Sequence, residues 1–421
     1  MRIAHLGPPP GRSGGPTGYL LQLARALDGQ DTRGHQVLLP QGPPVAARGA
    51  ASRERRLLVL ARRLRRTLLG PPAFGRPPAD DLPRAGGHLG RMLDESWAGV
   101  VAEVEPSLAA AAGADVIFAH DAPSAEAALE RRAAGQQVWL LQHNPMPLAL
   151  YLAWSFGVPE RPWEEIREYP DVRSRMDRER SVLEAVDRVF IPVPEAATGL
   201  ARVDAGIGAA MARAGHLMTG ASGPALARPG ASRAALRAVF GLPVSEPVGL
   251  FLGNAQPYRG LDCLRDALGA MPSRRALPGV VAVAGVGAGD LPLQSRLVAL
   301  GRVAEVGDLL AAVDFVINVN RFSLFDLSLI EAAEAGRALL LHDTGGNAAF
   351  ARLGAGTTML PSLDARAVAS GLEALFSTAA PDLEARGARS RACHERHLTL
   401  AHLRARHLDL YDEAAGRRAS A

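Results

Sequence analysis

The stretch FVINVNRFSLFDLSLIEAAEAG, Phe315 to Gly336, decides the fold. It opens on the apolar run Phe315 to Val319, crosses a polar loop that starts at Asn320, and continues into a helical segment, Leu327 to Ala335, that carries Glu331 and stops at Gly336. Strand, loop, helix is the repeating unit of an α/β fold, whose ligands sit at the carboxyl ends of parallel strands. The same unit recurs upstream, where Val248 to Leu252 runs into Gly253-Asn254-Ala255-Gln256-Pro257-Tyr258-Arg259-Gly260 and a helix from Leu261 to Leu268. Val280 to Ala284 and Ala338 to His342 read as further strands, and Ala365 to Phe376 as another helix.

The amino-terminal half follows the same grammar. Ile3 to Leu6 is a short apolar run ending in Gly7 and prolines; Leu20, Leu23, Ala24 and Leu27 then repeat at helical spacing, and His35 to Pro40 supplies the next strand. Asp115 to Phe118, Gln137 to Leu141 and Arg188 to Pro192 continue the series. Between residues 43 and 90 the rhythm breaks. There, seven arginines from Arg53 to Arg66 surround Leu57, Leu60, Leu64 and Leu68, which share one helical face. This basic amphipathic insertion reads as a surface helix or lid, with peripheral membrane docking the less favoured alternative. Leu217 to Gly230, rich in Gly, Ala, Ser and Pro, is the linker before a helix at Ser232 to Phe240.

Composition narrows the function. The 421 residues are 48% hydrophobic and 21% charged, which suits globular domains with a sizeable core. Every basic residue is Arg, so no Schiff-base or phosphate-loop Lys exists. A net charge of +4 with only 5% aromatics makes nucleic acid a poor partner. Cys263 and Cys393 form no metal or disulfide spacing, and the start Met1-Arg2-Ile3-Ala4-His5-Leu6 has no apolar signal region, so a cytoplasmic location is expected. The uncharged stretch Ala133 to Pro159 holds His143, Asn144, Pro145 and Pro147, against a membrane span.

Three motifs are declined. Gly11-Arg12-Ser13-Gly14-Gly15 matches a nucleophile elbow without marked partners, and Gly285 to Gly289 approximates a dinucleotide loop with its third Gly one residue early. His394-Glu395-Arg396-His397 lacks the i, i+4 spacing of a zinc pair and reads as part of a solvated helix. The informative groups are Arg259, whose guanidinium beside a helix N-terminus can hold a phosphate bidentately, and Glu331, whose carboxylate can accept both hydroxyls of a ribose.

Taken in order, Gly14-Gly15, Gly34-His35-Gln36-Val37, the Gly253 loop, Gly301-Arg302-Val303, Asp314, Glu331 to Gly336 and Gly345-Gly346-Asn347 give the chain its family likeness. It resembles the retaining GT-B glycosyltransferases, specifically glycosyltransferase family 4, over nearly its whole length. The resemblance implies two Rossmann-like domains facing a central cleft, about 1–215 on the acceptor side and 216–395 on the nucleotide-sugar side, with a C-terminal helix at 396–421 crossing back to the first. It implies that Glu331 binds the ribose and Arg259 the diphosphate of a nucleotide sugar, that Gly14 and Gly15 let the first loop approach the diphosphate, and that His143 reaches the donor sugar from across the cleft. Arg302 and Val303 match the turn that contacts the base, leaving GDP or UDP open. Asn254, Ser323, Phe325, Asp326 and Leu327 fall in the donor-binding loops. Two positions depart from the family pattern: Asn254 replaces an Arg of the phosphate clamp, and Ser323 replaces the first Glu of E-x7-E.

The implied reaction is metal-independent transfer of a glycosyl group from a nucleoside diphosphate sugar to a small-molecule acceptor, with retention and no resident cofactor. The departures favour natural-product (antibiotic) or small-thiol biosynthesis. Cell-envelope polysaccharide synthesis, a sugar-nucleotide epimerase and a non-catalytic nucleotide-sugar-binding subunit are the alternatives; sugar, acceptor and homo-oligomeric state stay open.

Overall fold

The computed structural model describes residues 1–8, 15–40, 87–287, 291 and 295–419. Gly14 and nearly all of the basic insertion lie outside them; residues 88–90 open the helix His88–Ala110. Two six-stranded sheets organise the described residues, and each of their assigned strand pairs is parallel. The chain divides into two compact units, residues 1–21 with 34–189, and residues 22–33 with 190–421.

The first sheet comprises β1 (Arg2–Leu6), β2 (Gln36–Leu38), β3 (Val116–Ala119), β4 (Gln137–Leu141), β5 (Arg188–Ile191) and β6 (Gly215–His216), in the order β2-β1-β3-β4-β5-β6. Strand β3 is buried throughout and β4 nearly so, as expected of strands covered on both faces. Register aligns His5 of β1 with Phe118 of β3, and Phe118 with Trp139 of β4. In this register the carboxyl ends of the three strands finish side by side.

The second sheet comprises β7 (Val248–Leu252), β8 (Val280–Ala284), β9 (Leu297–Gly301), β10 (Phe315–Asn318), β11 (Ala338–His342) and β12 (Thr357–Leu360), in the order β12-β11-β10-β7-β8-β9. Phe251, Val281, Val283, Phe315, Ile317 and Leu340 pack against Leu264, Leu372, Leu375 and Phe376 of the covering helices. The segment Leu217 to Gly230, expected as a linker, lies inside the second unit and leads to the helix Arg233–Val239, which Ser232 caps by accepting a hydrogen bond from the Ala235 amide at 3.2 Å. Asp314, just before β10, takes Arg237 at 2.6 Å, Arg233 at 3.1 Å and the Val248 amide at 2.7 Å. This half-buried carboxylate therefore secures the helix to the amino-terminal end of the sheet, away from the loops that end its strands.

The histidine-rich C-terminal region differs from the expected solvated helix. His394 is buried and meets the Ala221 carbonyl at 2.8 Å, and His407 is buried against the Tyr411 hydroxyl at 2.8 Å. Both pack inward because an imidazole with a partner is a tolerable core residue. The final helix, Leu400–Ala419, is tied within the second unit by Arg33, which donates to Asp409 at 2.7 Å and Asp412 at 2.8 Å. No helix among the described residues is long and apolar enough to cross a membrane.

Candidate functional site

In the second unit, the loops after β7, β8 and β9 are drawn together by glycine. The Gly253 amide donates to Ala284 at 3.0 Å, and the Gly285 amide to Gly301 at 2.7 Å. At Gly285, φ is +96° and a Cβ would overlap the Gly253 carbonyl, so this close approach requires glycine. The tempting Gly285 loop thus serves contact between strand ends. Its neighbour, the loop after β7, forms a short turn, Pro257–Arg259, and delivers the helix Leu261–Ala270 through Gly260, whose φ is +70°.

Arg259 lies on this turn with its side chain 21% exposed. Its guanidinium sits 4.9 Å from the Tyr258 ring centre and donates to Asp326 Oδ2 at 3.4 Å. The same oxygen accepts from the amides of Asn318 at 2.7 Å and Asn320 at 2.6 Å. Asn318 Oδ1 in turn accepts from Asn347 at 3.3 Å, and Asn347 also donates to the His342 carbonyl at 3.0 Å. A charged pair at the mouth of the sheet is therefore held by a fan of asparagine amides beneath it. Such a network orients a guanidinium with little freedom to lose when an anion arrives. Sequence reasoning did not single out Asn318 and Asn320; the available signal was a polar residue at the end of an otherwise apolar strand.

The loop that opened the sequence reading turns partly inward. Ser323 is 1% exposed and Phe325 is buried, stacked on Phe350 with ring centres 4.8 Å apart. The Ser323 carbonyl accepts from the Gly346 amide at 3.0 Å, and its hydroxyl is buried without a hydrogen-bond partner among the described residues. Asp326 and Leu327 are half-buried at the start of the helix Leu327–Glu334. Glu331, on that helix, has its carboxyl pushed up to about 7 by burial and by Glu334, against the pull of Arg25. Its neighbour Glu334 accepts hydrogen bonds from Ser222 and from the Gly223 amide of the linker. Asn254 is exposed and its side chain closes a local turn onto the Gln256 amide at 3.3 Å. Arg302 is exposed and Val303 half-buried, just after the left-handed Gly301 at φ +63°. The structure thus joins Arg259 to Asp326 and packs Ser323 against the Gly345-Gly346 turn, while Asn254 and Arg302 face outward.

The first unit carries a different constellation. His5 Nδ1 and His120 Nε2 are 2.8 Å apart, as are His120 Nδ1 and His143 Nε2. His5 is next to last in β1, His120 follows β3 and His143 follows β4, so three neighbouring strand ends place their imidazoles in a row. Tyr19 flanks the row with its ring 5.4 Å from His120 and 4.8 Å from His143. Burial pulls both His5 and His143 down to about 3. A Cβ on Gly15 would lie 3.4 Å from the His143 carbonyl, so these two expected site residues are neighbours. Sequence reasoning singled out His143 alone; His5 lies inside the apolar run Ile3 to Leu6, and His120 falls just past the run Asp115 to Phe118.

Comparison with known proteins bears on these loops directly. Residues 246–378 match the family model described as Glycosyl transferases group 1, a span that includes Arg259, Asp326 and Glu331. Sucrose-phosphate synthase from Thermosynechococcus elongatus superposes with a TM-score of 0.64 at 15% identity, covering 99% of this chain and 100% of that one. The Anabaena protein HepE in complex with UDP-glucose gives a TM-score of 0.59 at 15% identity over 98% and 100%. WaaG, a glycosyltransferase involved in lipopolysaccharide biosynthesis, gives 0.55 at 14% identity over 97% and 99%. The chain has the GT-B fold. No curated protein matches it by sequence.

Proposed function

We propose that this GT-B protein is a retaining, family 4-like glycosyltransferase that moves a sugar from a nucleoside diphosphate sugar to a small-molecule acceptor without a metal ion. The observation that carries the reading is Arg259, held on Asp326 beside a helix N-terminus at the carboxyl edge of the second sheet and inside the matched glycosyltransferase span. In this reading the guanidinium meets the diphosphate, whose negative charge grows as the glycosidic bond breaks, so Arg259 acts mainly in the transition state. Glu331 accepts the ribose hydroxyls, Arg302 and Val303 border the base, Gly14 and Gly15 pass close to the diphosphate, and His143 meets the transferred sugar. The leaving phosphate assists deprotonation of the acceptor on the same face, so no enzymic carboxylate nucleophile is required.

The departures at Asn254 and Ser323 support a specialised donor, of the kind used in natural-product (antibiotic) or small-thiol biosynthesis in the cytoplasm. Asn254 supplies an amide where a second cation is usual, and Ser323 offers no carboxylate to sugar hydroxyls. Thermal-shift screening against nucleoside diphosphates, followed by their sugars with EDTA present, tests the proposal. A shift with one base, followed by metal-free release of that nucleoside diphosphate only when an acceptor is added, is the expected result. Release without acceptor would point to epimerase chemistry, binding without release to a non-catalytic subunit, and activity that needs added magnesium or manganese would overturn the metal-free mechanism.

A further inference from the structure

We propose that His5 and His120 are positioning residues for His143: the three imidazoles act as one hydrogen-bonded chain in which every ring carries the same tautomer. The role for His143 rests on the reading that this residue meets the donor sugar. His120 is 0% exposed and uses both ring nitrogens within the chain, Nε2 toward His5 and Nδ1 toward His143, each at 2.8 Å. A neutral imidazole has one N–H and one lone pair, so His120 must donate through one link and accept through the other.

Only two arrangements satisfy both links. Either His5 Nδ1–H donates to His120 and His120 Nδ1–H donates to His143, which leaves all three rings protonated at Nδ1, or the direction reverses and all three carry the proton at Nε2. A single ring of the wrong tautomer would set two N–H groups, or two lone pairs, face to face in a buried site, which suppresses that state at least about tenfold. Burial, which draws His5 and His143 down to about 3, keeps both outer rings uncharged at neutral pH, and the proposed neutral state extends to His120, which exposes no surface.

The consequence lies at the outer end. His143 is half-buried and uses Nε2 for the chain, so its Nδ1 presents a donor hydrogen in one state and a bare lone pair in the other. What His143 offers a ligand is therefore decided by all three rings, and a ligand that selects one state orders the whole row. Stacking of His120 on Phe118, with ring centres 5.5 Å apart, and on His143 at 5.1 Å holds the planes in place. The rings bond to one another in a line, so their nitrogens do not converge on a metal. Among the described residues no metal-binding cluster is formed.

Imidazole nitrogen NMR of the 15N-labelled full chain at pH 7 tests the proposal without any substrate. Three uncharged rings with one shared tautomer are expected; a mixed pattern across the row, or a cationic His120, would overturn it. His120→Phe keeps a stacking ring but removes both links, and His143 should then show a mixture of tautomers; an unchanged single tautomer would refute the coupling. If that variant does not fold, His120→Gln serves, since its amide reaches only the Nε2 position and again leaves His143 unlinked. On a nucleotide sugar turned over by the parent, the folded variant should lose about tenfold in kcat with KM within about twofold, and an unchanged kcat would refute the positioning role. A parent inactive on every nucleotide sugar would overturn the donor-site reading, while the NMR pattern would still decide whether the chain exists.

Discussion

The two sheets share a parallel design and end in opposite electrostatics. At the carboxyl ends of β1, β3 and β4, burial holds His5 and His143 uncharged beside His120. At the carboxyl ends of β7 and β10, a guanidinium and a carboxylate stay paired above asparagine amides. The difference shows how one scaffold sets two kinds of chemistry through what its strand ends carry. In the proposed reading the uncharged His143 end of the row makes a hydrogen-bonding contact with the sugar, and the charged pair meets an anion whose charge develops during reaction.

The largest expected effect falls on the charged side. Arg259→Ala should lower turnover by about a hundredfold while weakening nucleoside binding much less, because the lost interaction strengthens as the diphosphate departs. Steady-state kinetics with an unchanged turnover number would break the contrast. Next comes Ser323→Glu, which installs the carboxylate that the glycosyltransferase resemblance leads one to expect, at a site that is 1% exposed. Forcing a carboxylate there should cost about 3 kcal/mol or more in urea unfolding. A fully stable variant would mean that the new carboxylate reaches solvent or a partner.

A smaller effect concerns Glu331, whose carboxyl is raised to about 7 from an ordinary 4.5. Below about pH 4.5 both the folded and unfolded forms are protonated. As pH rises toward 7 the unfolded chain ionises first, so stability is lost and the loss is complete above about 7. Glu331→Gln should therefore melt higher than the parent at pH 8, on the order of 2 kcal/mol, with the gain shrinking toward pH 5. A gain independent of pH would point to packing instead of charge. The smallest effect is Ser323→Ala, expected within about 1 kcal/mol of the parent because the deleted hydroxyl has no partner to lose among the described residues.

Much of the scaffold was legible because its inner strands are buried on both sides. Strands β4, β7, β8 and β11 coincide with apolar runs read directly from sequence, and the helix Ala365–Phe376 falls on the expected residues. Strands β9 and β12 escaped the reading and lie at the two edges of their sheet; in β12 Thr357 and Thr358 interrupt the apolar pattern, whereas β9 is a short apolar run that went unread. The two-residue β6 is too short to leave a pattern. In the site, Arg259 and Glu331 stood out as charges on loop and helix. Local sequence could not reveal that Ser323 turns inward onto the Gly345-Gly346 turn, since that packing joins segments about twenty residues apart. Nor could it join His5 to His120 across a parallel crossover.

In the proposed function the second unit binds a nucleoside diphosphate sugar through Glu331. Isothermal calorimetry of the parent and Glu331→Ala against a panel of UDP-, GDP-, ADP- and dTDP-sugars, in EDTA, addresses it most directly. Loss of a charge-assisted hydrogen bond, about 1.5 to 3 kcal/mol, should weaken the donor that the parent binds by about ten- to a hundredfold in a variant that still folds. Equal affinity in parent and variant, or no binding by the parent across the panel, would contradict the account.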